Sequence, residues 1–165
     1  MWFAENLSPD YSVNIAQYVD VRYDPDEFDL DLLAECCYEV GRAIESPYAR
    51  LTEVDGVPMQ YVDLEFDQHI DFYDFRDRED PAGEALAWMN AEYRRPVDLL
   101  NDQFIVIAFL QIADDRLFWY NRAHHIILDG YAALWVMRRT IDRYNALRRG
   151  EEPKDRAPAS LAGLV

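Results

Sequence analysis

Apolar and polar positions along the chain repeat with two periods, and the changes of period mark its elements. Residues 13–23 are rich in β-branched and aromatic side chains and predict a strand. Leu30, Leu33, Ala34, Cys37, Gly41 and Ile44 fall at helical spacing, so an amphipathic helix is expected over 28–45. Asp55-Gly56, between residues 50–54 and 57–63, is a hairpin signal, and 69–75 is a further short strand. Asp80-Pro81 starts a helix with a capping acid and a proline at the first helical position; Ala85, Met89 and Tyr93 continue one face and Pro96 ends it. Residues 104–112 are apolar on both alternating faces, the mark of a central strand covered on both sides. Asp114-Asp115 turns the chain back into an antiparallel strand over 116–123. Leu134, Met137, Ile141 and Tyr144 then mark the inner face of a final helix closed by Gly150. Strands and helices intermix around hairpins, so the class is α+β.

Composition narrows the setting. The chain has 165 residues, half of them hydrophobic and 14% aromatic, which suits one domain with a real core and argues against disorder. No apolar run approaches the ~20 residues of a membrane helix, and no signal peptide is visible, so a cytoplasmic protein is expected. Thirty-two acidic residues against 16 basic ones give a net charge of −16, which disfavours nucleic acid and anionic membrane surfaces. Arg138, Arg139, Arg143, Arg148 and Arg149 crowd the last helix against one acid, Asp142, and read as a solvated face favoured by the helix dipole. The two cysteines, Cys36 and Cys37, are adjacent within a helical pattern and read as buried packing, neither a disulfide framework nor a zinc site.

The chemistry concentrates in His124-His125-Ile126-Ile127-Leu128-Asp129-Gly130, between the last strand and the last helix. Histidine exchanges protons near neutrality, with an ordinary pKa of about 6.5. Aspartate can orient a backbone or hold an ion pair, and glycine lets a backbone N–H approach a substrate. Neighbouring side chains on a strand-like segment point to opposite sides, so His124, His125 and Asp129 do not read as a metal site. His69 has no motif around it and reads as surface or packing.

His-His-x-x-x-Asp-Gly resembles the active-site signature of the condensation domains of nonribosomal peptide synthetases. The likeness extends to Trp2-Phe3-Ala4-Glu5-Asn6-Leu7, similar to the end of the family's opening motif, and to Arg50-Leu51-Thr52-Glu53-Val54-Asp55-Gly56-Val57-Pro58-Met59-Gln60, similar to its early hairpin. It continues through Arg95-Pro96-Val97-Asp98-Leu99, the run from Asp114 to Tyr120, and Tyr144 with Arg149-Gly150-Glu151. Trp119-Tyr120 before the histidines and Gly130-Tyr131 after them look most like the first condensation domain of enterobactin-type siderophore synthetases.

The resemblance implies a chloramphenicol acetyltransferase-like lobe, a mixed and mostly antiparallel sheet packed with helices. It implies an acyltransferase that joins a donor acyl or peptidyl thioester to an acceptor aminoacyl thioester as an amide. Both substrates would ride on phosphopantetheine arms of upstream and downstream carrier domains, with no cofactor or metal bound by the lobe itself. His125 is then the catalytic candidate, Asp129 orients the motif through an ion pair, Gly130 presents its N–H near the thioester carbonyl, and His124 is structural support. The family's domain is a pair of lobes; residues 1–150 are expected to be the amino-terminal one and 151–165 a linker or tail towards the second lobe, so that the lobe alone is weak or inactive. A basic last helix would also suit docking of acidic carriers.

Three departures bear on substrate detail. Asn101-Asp102-Gln103 stands where the family has a small–proline–leucine turn, Arg42-Ala43-Ile44 replaces an arginine–histidine pair, and Ala132 stands where serine is common. Competing readings are a non-catalytic carrier-docking relative, an epimerisation domain and an acyltransferase using free acyl-coenzyme A. The intact His125, Asp129 and Gly130 argue against the first, and Tyr131-Ala132-Ala133-Leu134 against the second, which has a tryptophan-rich continuation.

Overall fold

The computed structural model describes residues 12–154. The Trp2–Leu7 segment and the greater part of the 151–165 tail lie outside those residues. The chain divides into two compact units, one built from residues up to Phe28 and His69–Ile126, the other from Asp29–Gln68 and the residues from Ile127 onward.

The first unit is a four-stranded sheet in the order β1-β6-β5-β4, with strands β1 (Asn14–Arg22), β4 (Ile70–Asp74), β5 (Ile105–Ala113) and β6 (Arg116–His124). β6 runs antiparallel to both β1 and β5, whereas β4 pairs parallel with β5, so the sheet is mixed and mostly antiparallel. Helix α2 (Pro81–Tyr93) covers one face. It begins as the sequence predicts: the Asp80 carboxylate accepts the Gly83 N–H at 3.0 Å, and Pro81 occupies the first turn. Under it Ala85 and Met89 pack on Ala108, Leu110 and Ile112 of β5 and on Phe118 and Tyr120 of β6. β5 is central and buried along most of its length because apolar residues occupy both of its faces.

The second unit pairs helix α1 (Leu30–Ile44) with helix α3 (Gly130–Arg148) beside a two-stranded hairpin, β2 (Ala49–Val54) and β3 (Val57–Val62). Asp55 and Gly56 both have positive φ, 52° and 78°, the turn whose twist matches the strands it joins. Asp29 caps α1 by accepting the Leu32 N–H at 2.9 Å. The two helices are tied by the Tyr144 hydroxyl, which accepts the Asp29 N–H at 3.0 Å, and by Arg143 and Glu39 at 3.8 Å. Gly150, at φ 69°, ends α3 as expected: its N–H and that of Glu151 bond back to the carbonyls of Leu147 and Ala146. Cys36 and Cys37 are free and buried, and burial pushes the Cys37 thiol well above its usual pKa.

The inner face of α3 differs from the expected one. Leu134 is 60% exposed and Ile141 is also exposed, while Ala133, Met137, Thr140 and Ala146 are buried. The packed stripe is turned by about one residue. Thr140 can occupy it because its hydroxyl donates to the Val136 carbonyl at 3.1 Å, which removes the penalty of burying it.

Candidate active site

The histidine pair lies at the C-terminal end of β6, in the first unit. Strand alternation separates the two side chains: His124 is fully buried and His125 is half-buried. Both backbones are held by inter-strand bonds. His124 N–H donates to the Phe104 carbonyl on one side, and His125 N–H donates to the Val13 carbonyl on the other, each at 2.8 Å. The His124 ring sits 6.1 Å from that of Phe104, and its Nδ1 accepts the Ile126 N–H at 3.2 Å. That acceptance requires a bare Nδ1, so neutral His124 carries its proton on Nε2. Through this bond the His124 ring holds the backbone that leaves the strand immediately after His125.

Asp129 and Gly130 open α3, in the second unit. Asp129 is the N-cap, its Oδ1 accepting the Ala132 N–H at 2.7 Å. The ion pair expected of Asp129 is absent among the described residues. A carboxylate at this position satisfies one of the orphan N–H groups of the helix and meets the positive end of its dipole. Gly130 follows as the first helical residue. Its φ is not positive, and a Cβ built there would meet nothing within 4 Å. Neither backbone strain nor crowding within the fold accounts for glycine at this position.

Three residues outside the motif, not singled out from the sequence, form a buried polar cluster next to it. Arg122, two residues before His124, is fully buried; it bonds to Glu92 of α2 at 2.9 Å and to Asn14 of β1 at 3.2 Å. The available signal was an arginine between Trp119-Tyr120 and the histidines, a charge in an otherwise buried strand. His69 lies outside this arrangement, exposed and 3.8 Å from Asp71. Among the described residues no group of three or more His, Cys, Asp or Glu side chains could hold a metal ion, and no helix is long and apolar enough to cross a membrane.

Comparison with known proteins decides the family. The condensation domain family matches residues 1–159. The chain belongs to the condensation domain family. It is 31% identical, over its whole length, to a dimodular nonribosomal peptide synthase of Bacillus subtilis, of which it covers 7%. It is 32% identical over 99% of its length to an isonitrile lipopeptide synthase of Streptomyces coeruleorubidus, covering 11% of it, and 33% identical over 92% to enterobactin synthase component F of Escherichia coli O157:H7, covering 12%. Among solved structures, the starter condensation domain of rhizomide synthetase superposes with a TM-score of 0.90 at 27% identity, over 99% of this chain and 39% of that one. The first condensation domain of the CDA synthetase shares the fold, with a TM-score of 0.82 at 21% identity. The condensation domain fold is therefore the chloramphenicol acetyltransferase-like α+β architecture expected. The family forms amide bonds in multidomain synthetases whose substrates ride on carrier domains. This chain spans about a tenth of the curated relatives and about two fifths of the solved domains it matches.

Proposed function

We propose that this chain is the amino-terminal lobe of a condensation domain that joins a donor acyl or peptidyl thioester to an acceptor aminoacyl thioester. Both would be delivered on the phosphopantetheine arms of carrier domains. The observation that carries the reading is His125: a half-buried histidine held at a strand end by a 2.8 Å backbone bond, in a chain that matches the family almost from end to end. In this role His125 accepts a proton from the attacking ammonium or holds the amine in line, and the carbonyl carbon passes from sulfur to nitrogen. Gly130 presents its N–H close to the thioester carbonyl, and the open space at its Cβ position suits that approach. Asp129 supports the motif as the cap of α3.

Magnitudes give the base a supporting part. General base catalysis contributes ~10²–10⁴-fold, roughly 3–5 kcal/mol, whereas holding two tethered reactants in line contributes roughly 7–11 kcal/mol. A thioester is already activated. His125→Ala is therefore expected to impair the complete domain severely while leaving measurable turnover.

One lobe supplies the histidines and one wall of the reaction channel, so the chain by itself is expected to be weak or inactive. Tyr131 and Leu134, 83% and 60% exposed on the first turns of α3, are apolar surface of the kind a second lobe would cover. The test is a single-turnover assay with donor-loaded and acceptor-loaded carriers, read by intact-carrier mass spectrometry. It compares the chain, the chain completed by a second lobe, and the His125→Ala form of the latter. Product only from the complete domain, and much less from the variant, supports the reading; an unchanged variant rate refutes the role of His125. The siderophore likeness enters as a choice of substrates, an aryl acid donor with a serine acceptor beside lipid and peptidyl donors. Turnover only with free acyl-coenzyme A donors would favour the acyltransferase alternative.

A further inference from the structure

We propose that Arg122 is a positioning residue for His125, acting through a buried polar cluster that ties the histidine-bearing end of β6 to β1 and to the end of α2. The inference rests on the reading of His125 given above. Its geometry lies wholly within the first unit.

Arg122 has no exposed surface, and its Nε donates to Glu92 Oε2 at 2.9 Å. Glu92 Oε2 also accepts the Tyr120 hydroxyl at 3.1 Å. Arg122 Nη1 donates to Asn14 Oδ1 at 3.2 Å, and Asn14 Nδ2 donates to the carbonyls of Tyr93 and Arg95 at 3.0 and 3.1 Å. Asn14 lies directly opposite His124 in the β1–β6 ladder. The residue before it, Val13, supplies the carbonyl that holds the His125 N–H. Arg122 therefore reaches His125 in three steps: its bond to Asn14, the chain from Asn14 to Val13, and the Val13–His125 bond.

The position of that last bond gives the cluster its consequence. Among the described residues β1 is an edge strand, and Val13 lies just before its first ladder residue, next to Ser12, whose hydroxyl accepts the Val97 N–H at 2.8 Å. Arg122 and Asn14 anchor this end to α2 through side chains, which the ladder alone does not do. Stability is a poor explanation for the cluster. Arg122 Nη2 and Glu92 Oε1 have no hydrogen-bond partner among the described residues, and a buried ion pair is often replaceable by apolar residues of similar volume without loss. Placement is the better one, since displacement of a catalytic group by ~1 Å can lower a rate by ~10²-fold.

The test compares Arg122→Met and Asn14→Ala with the unaltered protein. Asn14→Ala cuts the link to β1 and leaves the Arg122–Glu92 pair in place, so it decides the matter even if Arg122→Met fails to fold. Amide hydrogen exchange on the chain is the first readout. We expect exchange of the His125 N–H to rise at least tenfold in either variant, with Leu110 and Phe118 at mid-sheet unchanged. Uniform acceleration across β5 and β6, or an unchanged His125, overturns the proposal in favour of a merely structural role. The second readout is single turnover in the complete domain. We expect the rate at saturating carriers to fall ~10–100-fold with carrier KM within about twofold, and Arg122→Lys, which keeps the charge without the fork, to recover only part of it. A full rate despite a loosened His125 amide also overturns it. A complete unaltered domain that makes no product counts against the condensation reading instead, while the exchange measurement still decides whether Arg122 positions His125.

Discussion

Gly130→Ala separates what the fold needs from what the reaction needs. Gly130 is the first residue of α3, its φ is not positive, and an added Cβ meets nothing within 4 Å. Alanine fits this backbone, so the substitution acts mainly by narrowing the unfolded ensemble and is expected to stabilise the protein by ~0.4–1 kcal/mol. With a urea slope of roughly 2 kcal/mol/M, the midpoint rises by about 0.2–0.5 M. The reaction should respond in the opposite direction. If the open space is where the thioester carbonyl meets the Gly130 N–H, one methyl group over-packs it at a cost of ~1–3 kcal/mol, or roughly 5- to 150-fold in rate. Urea denaturation of the chain and single turnover of the complete domain measure the two effects on the same variant. A more stable variant with full activity would remove the functional reason for glycine. A less stable one would show that the Cβ position is not open, and the argument would fail at its first step.

Asp129 is read as a cap, and its variants test this: Asp129→Ala is expected to cost ~0.5–2 kcal/mol, while Asp129→Asn, which still caps, loses only the ~0.3–1 kcal/mol of charge–dipole attraction. Equal loss in both, measured by urea unfolding, would restore the ion pair expected from the family likeness. Asp74 is held at about 2, against an ordinary 3.8, mainly by its hydrogen bonds from Arg76. Its folded pKa is depressed, so its contribution to stability is fully present above pH 3.8 and is lost as pH falls through about 2. Carboxyl NMR should find Asp74 titrating at about 2 and Arg76→Met moving it up towards 3.8; an unaltered protein in which Asp74 titrates near 3.8 contradicts this.

Much of the fold was legible because local chemistry and tertiary structure agree. Asp80-Pro81 and Asp55-Gly56 favour a helix start and a two-residue turn in the patterns that flank them, and both form as expected. The central position of β5 followed from apolar residues on both of its faces. What was not legible depends on partners distant in sequence. Nothing in residues 69–75 says that β4 pairs parallel with β5, or that β2 and β3 form a sheet of their own. The face of α3 was misjudged because counting apolar residues passes over Thr140, whose hydroxyl is satisfied within the helix, and overvalues Leu134. The candidate site divides in the same way. The motif gave its own residues, but Arg122 bonds to Asn14, 108 positions earlier, and to Glu92, 30 positions earlier.

The two histidines are adjacent in sequence but differ in burial and in how they are held. His124 is enclosed, packs beside Phe104, and keeps Nδ1 bare to accept the Ile126 N–H. His125 is tied through its backbone, its N–H donating to the Val13 carbonyl at 2.8 Å, and its ring is half-buried. Strand alternation sends the two rings to opposite faces of the sheet, and the contacts at the strand end, not alternation alone, leave His125 the more exposed of the two. If His125 acts as proposed, the pair couples an inner histidine that sets the exit of the strand to an outer one whose backbone rests on the Val13 carbonyl, the group the proposed Arg122 link would secure.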